Sequence, residues 1–444
     1  MTAGSSDTQP PGDSPSDDER AARFRALMPS DFNVYPVTQV PAITVLNKDT
    51  QDRIHASHHP VQVHDTREFK NNPEFEKDMD HGRFKLNDGK PLELLFADES
   101  VCSAPQSYFE MKLARVDGKF LNVSAMSRNL DQRFSPDTEH WFGRMETLTE
   151  PDLIEGRSAV LMGIGRASNY YHWFGEQMPR IELLRQHIDL AELDTLVVFA
   201  RELPSFISES IALLFPEFRG RIHNVTRHSA LLEEGYFFVP AILGRSDGSA
   251  SPGKGAITRH EDGTLTRETW GSIERISKHV DVMLGNLAEK GRSRVLCVSR
   301  RNSRVRHWIN EDDLLGRLAS TGVACIFAEE HSVAEQAEMF RSADIVIAQH
   351  GAGLANIMFC RPGTRVIEVT TRNHISRAWD FAKIGVARQL EYHVVVADAV
   401  QDDDDARWAK VPAPPSGRRI RSSIRTSTEA NDRIEQLTRD RLAD

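Results

Sequence analysis

Residues 344–369 read DIVIAQHGAGLANIMFCRPGTRVIEV, and the fold turns on how this stretch is read. A run of apolar residues ends at His350, Gly351 and Gly353. A short apolar segment follows, then Pro362-Gly363, then a second apolar run closing at Glu368. Short apolar runs bounded by turn residues read as buried strands. With GLANIMFC as a short helix between them, the pattern is strand–helix–strand, the unit of a parallel sheet covered by helices.

The same alternation extends upstream. RVLCVSR (294–300) reads as a strand and NEDDLLGRLAST (310–321) as a helix, with Asn310 as N-cap and acids in its first turn. ACIFA (324–328) is a strand, and SVAEQAEMFRSA (332–343) opens with a capping box from Ser332 to Glu335. Earlier, SAVLMGIG (158–165), NYYHWFGEQMPRIELLRQH (169–187), DTLVVFAR (194–201) and PSFISESIALLF (204–215) alternate in the same way. The expectation is α/β with two doubly wound, Rossmann-like units facing a cleft. A β-rich addition comes first, suggested by short runs such as PAITVLNK and GKFLNVSAM.

The chain has 444 residues, too many for one ordinary core, so two domains are expected. The divisions read from the sequence are a disordered Ser/Pro/Asp-rich tail over 1–31 and an N-terminal domain over 32–285. That domain is β-rich over 32–150 and Rossmann-like over 151–285. A second Rossmann-like domain spans 286–400, and an acidic linker with a C-terminal helix spans 401–444. A net charge of −10 argues against a general nucleic-acid binder. The N-terminus has no apolar core of a signal peptide, and no window reaches the roughly 18–20 apolar residues of a membrane span. Four cysteines without C-x-x-C spacing read as free thiols, three of them buried, in a reducing cytoplasm.

Several residues suit chemistry. Glycines at a strand end let the backbone approach a ligand closely, and the following helix start favours anions. His350 before that turn can donate to a phosphate or sugar oxygen, and Glu368 can accept ribose hydroxyls. SRRNSRVRHW (299–308) gathers Arg300, Arg301, Arg304 and Arg306 after another strand, where guanidinium groups would neutralise a diphosphate. On the 169–187 helix, Tyr170, Phe174, Met178 and Ile181 form the face expected in the core. His172 and Glu176 lie four apart on the opposite side, and Pro179 is expected to kink the helix against Gly175. By spacing alone an exposed helical pair explains His172 and Glu176 better than an acid–base pair does. Weaker signals are GIGRAS (163–168), which echoes a dinucleotide turn but has Ser168 for its third glycine; the histidines 55, 58, 59 and 64; and Asp78-Met79-Asp80.

Taken together, NYYHWFGEQMPRIELL, RRNSRVRHWINEDDLL and H-G-A-G-L-x-N with a downstream P-G-x-x-V-I-E resemble the family 61 glycosyltransferases over about residues 165–370. That family includes plant xylan-decorating enzymes, animal O-linked N-acetylglucosaminyltransferases and bacterial polysaccharide-synthesis proteins. The resemblance implies a GT-B arrangement and inversion at the anomeric carbon. It implies a nucleotide-sugar donor, usually UDP-linked, with no cofactor and no essential metal. Residues matching its donor motif are Arg300, Arg301, His350, Gly351, Ala352, Gly353 and Glu368, which makes 286–400 the donor domain and 32–285 the acceptor domain. Where the family commonly has His followed four residues later by Asp, this chain has His172 and Glu176, one methylene longer, as the expected catalytic pair. The acceptor would be a glycan or a lipid-linked hydroxyl, taken by a cytoplasmic protein or one peripheral to the inner membrane surface, and a homo-oligomer is left open. The rival readings are a non-catalytic nucleotide-sugar-binding protein and an NAD-dependent oxidoreductase using GIGRAS.

Overall fold

The computed structural model describes residues 40–47, 55–58, 62–64, 92–97, 99–110, 113–122, 151–161, 168–200, 202–226, 229–239, 257–259, 265–285, 293–303, 306–371, 379–400 and 423–444. The tail over 1–31, His59, Asp78-Met79-Asp80, residues 163–167 of GIGRAS, Arg304 and the acidic stretch from 401 lie outside them.

The regular elements described before residue 151 are all strands. β1 (Thr44–Val45), β2 (His55–His58), β3 (Gln62–His64) and β4 (Leu92–Ala97) precede the long β5 (Ser100–Glu110), β6 (Leu113–Val116) and β7 (Lys119–Asn122). β5, β6 and β7 form an antiparallel meander, and β1 pairs antiparallel with β5.

β8 (Asp152–Leu161) opens the first parallel unit. A long helix, α1 (residues 170–185), follows, then β9 (Thr195–Val198), α2 (Ser205–Leu214), β10 (Arg221–Asn224) and β11 (Ser229–Val239). The order β10-β9-β8-β11 is parallel throughout, and β11 joins the meander through antiparallel β5. β8 bends at Gly156, whose φ of 73° suits glycine, and beyond the bend Asp152 reaches His223 of β10 at 2.9 Å. β12 (Ile257–Arg259) and β13 (Leu265–Trp270) join β4 and β2 in a separate sheet ordered β12-β13-β4-β2, and α3 (Ser272–Leu284) follows.

The second parallel unit is more regular. β14 (Val295–Val298), α4 (Glu311–Leu318), β15 (Ala324–Ile326), α5 (Val333–Ser342), β16 (Ile345–Gln349), the 3-10 helix Ala352–Phe359, β17 (Arg365–Thr371), α6 (Trp379–Ala387) and β18 (Glu391–Val400) alternate along the chain. Their order, β15-β14-β16-β17-β18, is parallel, with β3 beside β18 and antiparallel β19 (Ser423–Arg425) beyond it. β16 and β17 are buried at every residue, as strands covered on both faces must be. α7 (Thr428–Ala443) closes the chain, capped by Ser427.

The capping box at α5 forms in both directions, Ser332 N–H to Glu335 Oε2 at 2.8 Å and Glu335 N–H to Ser332 Oγ at 3.3 Å. Asn310 departs from expectation. It stands before α4, yet its side chain makes no cap. Its amide donates to the Thr426 carbonyl at 2.9 Å and its oxygen accepts from Thr426 N–H at 3.0 Å. A partner 116 residues away outcompetes the local cap because it satisfies two backbone groups of the β19–α7 connection at once. Cys102, Cys297 and Cys360 are buried and Cys325 is exposed, all four as free thiols. No described helix is long and apolar enough to cross a membrane.

Candidate active site

In each parallel unit the strand order reverses once. The chain steps from β8 to β9 to β10 in one direction and then returns to place β11 on the other side of β8. It steps from β14 to β15 and then returns to place β16 on the other side of β14. At such a reversal the connections leave in opposite directions and open a crevice at the strand C-termini, where open α/β sheets take their ligands.

In the second unit the reversal lies between β14 and β16. Arg300 follows β14, and His350 and Gly351 follow β16. They are in contact. A methyl at Gly351 would collide with the Arg300 guanidinium, so glycine there is what admits the cation against the backbone. Arg300 is mostly enclosed, and burial holds its guanidinium below the usual arginine range while nearby Glu329 opposes the shift. Nη2 reaches Ser303 Oγ at 3.5 Å. Arg301 turns elsewhere: its Nε donates to Glu311 Oε2 at 2.6 Å and its Nη2 pairs with Asp312, both on α4. Arg306 takes a left-handed φ of 63°, a conformation that costs a non-glycine residue roughly 1–2 kcal/mol, so this loop is held by its surroundings.

His350 is buried and pairs with Glu368. Nδ1 lies 2.5 Å from Oε1, and the other carboxylate oxygen accepts from the Tyr392 hydroxyl at 2.6 Å. Glu368 was expected at the close of its strand, facing ribose. Instead the strand runs on to Thr371, and Glu368 sits inside the sheet with no exposed surface and both oxygens engaged. Burial pushes its carboxyl up to about 8, Tyr392 pulls it back and Asp380 adds to the rise. The neutral acid is favoured because an isolated charge in that position would lose its hydration without a full countercharge.

The helix α1 carries the other pair. Its first turn is α-helical (Tyr170–His172), its middle is a π-helical turn (Trp173–Gln177) and its end is α-helical (Met178–Arg185). Pro179 follows this wider turn and stands in the first turn of the last segment, where its missing N–H does no harm. His172 Nδ1 lies 2.8 Å from Glu176 Oε2. Phe174, Met178 and Ile181 are fully buried, as their face predicts. Glu176 is also buried, with only 6% of its side chain exposed against 18% for His172. The exposed helical pair that spacing alone suggested is therefore not what forms. The buried ion pair of Arg180 with Glu99 (Nε to Oε2, 2.9 Å) anchors the same helix to the loop before β5.

The two His–Glu pairs meet through aromatic rings. The Tyr171 ring lies 5.2 Å from the His172 ring and 5.1 Å from Phe381, and Phe381 lies 5.1 Å from His350. Lys383 Nζ lies 5.4 Å from the Tyr171 centroid. Gly175 leaves room for that ring, since a methyl there would come 2.9 Å from Tyr171 Cε2. Beside it, the Tyr170 hydroxyl donates to Asn356 Oδ1 at 2.6 Å, and Asn356 Nδ2 donates to Gln336 Oε1 at 2.6 Å. Phe174 packs edge-on against Phe359, their centroids 5.7 Å apart. Helix α1 of the first unit is thereby fastened to the 3-10 helix that follows His350. Tyr392, Phe381 and Tyr171 were missed by sequence reasoning. Tyr392 stands in an apolar strand 24 residues beyond Glu368 and carries no spacing signal.

The family model for Glycosyltransferase 61 matches residues 170–367. The match supports a family 61 glycosyltransferase. No curated protein matches the chain. The matched region begins at Tyr170, after β8, contains the β14–β16 reversal and ends one residue short of Glu368. Within it lie His172, Glu176, Arg300, Arg301, His350, Gly351, Ala352 and Gly353, while Glu368, Phe381 and Tyr392 lie beyond it. The match supports a transferase.

Proposed function

We propose that this chain is an inverting glycosyltransferase of GT-B architecture. On this reading residues 32–285 form the acceptor domain and 286–400 the donor domain. The observation that carries the reading is the meeting of two strand-reversal sites. Arg300, His350 and Gly351 occupy one, and the His172–Glu176 pair of the other stands two aromatic rings away.

The donor is a nucleotide sugar, probed first as UDP. Its diphosphate lies against Gly351, Ala352 and Gly353, with Arg300 supplying positive charge and Arg301 a more distant contribution. A protonated Glu368 accepts from the Tyr392 hydroxyl on one oxygen and donates a hydrogen bond to His350 Nδ1 from the other. The imidazole then holds its own proton on Nε2, in position to donate to a phosphate oxygen. Glu368 so acts through His350 and not on ribose. Glu176, oriented by His172, takes the proton of an acceptor hydroxyl on a glycan or lipid-linked saccharide. That oxygen attacks the anomeric carbon as the bond to the diphosphate breaks, and the departing charge falls on Arg300 and His350.

The test is calorimetric titration of the full chain with UDP in the presence of EDTA, with GDP and NAD as controls. Binding of UDP that is lost in Arg300→Ala and His350→Ala supports the donor site. Absence of UDP binding, or binding of NAD in its place, refutes it. UDP binding with turnover unchanged in Glu176→Gln refutes the assignment of the base.

A further inference from the structure

We propose that Cys325 and Cys297 form a hydroperoxide-reactive dithiol, with Cys325 as the attacking thiolate and Cys297 as the thiol that resolves it into a cross-strand disulfide. The two stand directly opposite each other on the parallel strands β14 and β15. In-register residues on neighbouring strands point to the same face, and the strand spacing of about 4.8 Å falls within the roughly 4.4–6.8 Å between Cα atoms that a disulfide spans. β15 is three residues long and is the edge of its sheet, so only one neighbour restrains it as the sulfurs close.

Their surroundings divide the roles. Cys325 is exposed and Cys297 is wholly buried. Hydrogen bonding between the two thiols pushes the Cys297 thiol up, with burial adding to the rise, and brings Cys325 down. Burial and Glu311 oppose ionisation of Cys325, whereas Arg301 and Ser299 favour it. Arg301 is held in place by Glu311 and Asp312. Cys102 and Cys360, by contrast, are buried, and burial pushes each thiol up to about 12. An accessible thiolate beside a cation reacts and a buried thiol does not.

The chemistry balances with a hydroperoxide as oxidant. The Cys325 thiolate attacks the terminal peroxide oxygen, an S–O bond forms, the O–O bond breaks, and the alcohol or water leaves after taking a proton. Sulfur is oxidised and peroxide reduced. Cys297 sulfur then attacks the sulfenic acid, the S–S bond forms, the S–O bond breaks, and the hydroxide leaves as water with the proton of Cys297. This inference stands apart from the proposed transferase activity.

The experiment is treatment of the reduced full chain with one equivalent of hydrogen peroxide, followed by mass spectrometry of its peptides with and without dimedone. The expected product is one disulfide joining the peptides of Cys297 and Cys325, reversed by dithiothreitol and formed at least about tenfold faster than any modification of Cys102 or Cys360. Cys297→Ser should leave Cys325 as a dimedone-trapped sulfenic acid. Cys325→Ser should abolish oxidation at Cys297. Oxidation of Cys325 no faster than of Cys102 and Cys360, or a sulfenic acid at Cys325 that persists in the unsubstituted chain without a disulfide, overturns the proposal. The unsubstituted chain alone decides the case if either variant fails to fold.

Discussion

The two His–Glu pairs are alike in chemistry and opposite in construction. Each joins a histidine Nδ1 to one carboxylate oxygen, at 2.8 Å for His172 with Glu176 and 2.5 Å for His350 with Glu368. The first is local, four residues apart on a π-helical turn, and its histidine keeps some exposure. The second spans 18 residues, joins two neighbouring strands and has a third partner in Tyr392. A pair on a helix surface can present a base to a ligand. A pair locked in a sheet, with both carboxylate oxygens used, can instead fix the proton on a ring. The same residue types thus suit proton removal in one place and positioning in the other.

The largest effect that would sharpen this contrast is expected from Glu176→Gln. Turnover, measured as UDP release in the presence of acceptor, should fall about 10²–10⁴-fold, the usual loss when a general base is removed. UDP affinity from calorimetry should stay within about twofold, because the base touches the acceptor and not the nucleotide. An equal loss of both would break the division of labour.

Gly351→Ala should come next. The added methyl must displace the Arg300 guanidinium, so UDP affinity should drop about tenfold to a hundredfold, the worth of a charge-assisted contact. Arg301→Ala, which removes a guanidinium already paired with Glu311 and Asp312, should cost less than Arg300→Ala in the same titration. The reverse order would relocate the diphosphate.

The sheet-bound pair should also be visible in stability. Glu368 holds its proton up to about pH 8 in the folded chain and releases it near 4.5 when unfolded. Between those values the folded state binds more protons. Stability is therefore full at the acid end of that window and declines as pH rises through it. Glu368→Gln should flatten the pH dependence of the urea midpoint over that range. Tyr392→Phe, which leaves a buried carboxyl oxygen without its donor, should destabilise by about 1–3 kcal/mol. A pH profile unchanged in Glu368→Gln would show that the carboxyl is ionised throughout.

The smallest effect belongs to local structure. Ser332→Ala removes one side of the α5 capping box and should cost about 0.5–2 kcal/mol in chemical denaturation, without altering UDP binding.

Much of the fold and part of the site were legible in the residues. Apolar runs bounded by glycine, proline and caps determined the strand–helix alternation of both parallel units, since burial on both faces leaves little else for such runs to do. The turn at His350 to Gly353 and the arginines at 300 and 301 were readable because they follow strand ends. The sequence also held the His172 to Glu176 spacing, which brings two side chains together whatever surrounds the helix. Long-range partners were not legible. Asn310 gave up its cap for Thr426, Arg301 turned to α4 while Arg300 turned to Gly351, and Glu368 went into the sheet beside a tyrosine 24 residues away. Each of these choices depends on which groups the packing leaves unsatisfied, and that is known only once the strands are ordered. Local periodicity follows from backbone geometry and burial and is written along the chain; the competition among distant partners for one buried proton or carboxylate is settled in three dimensions.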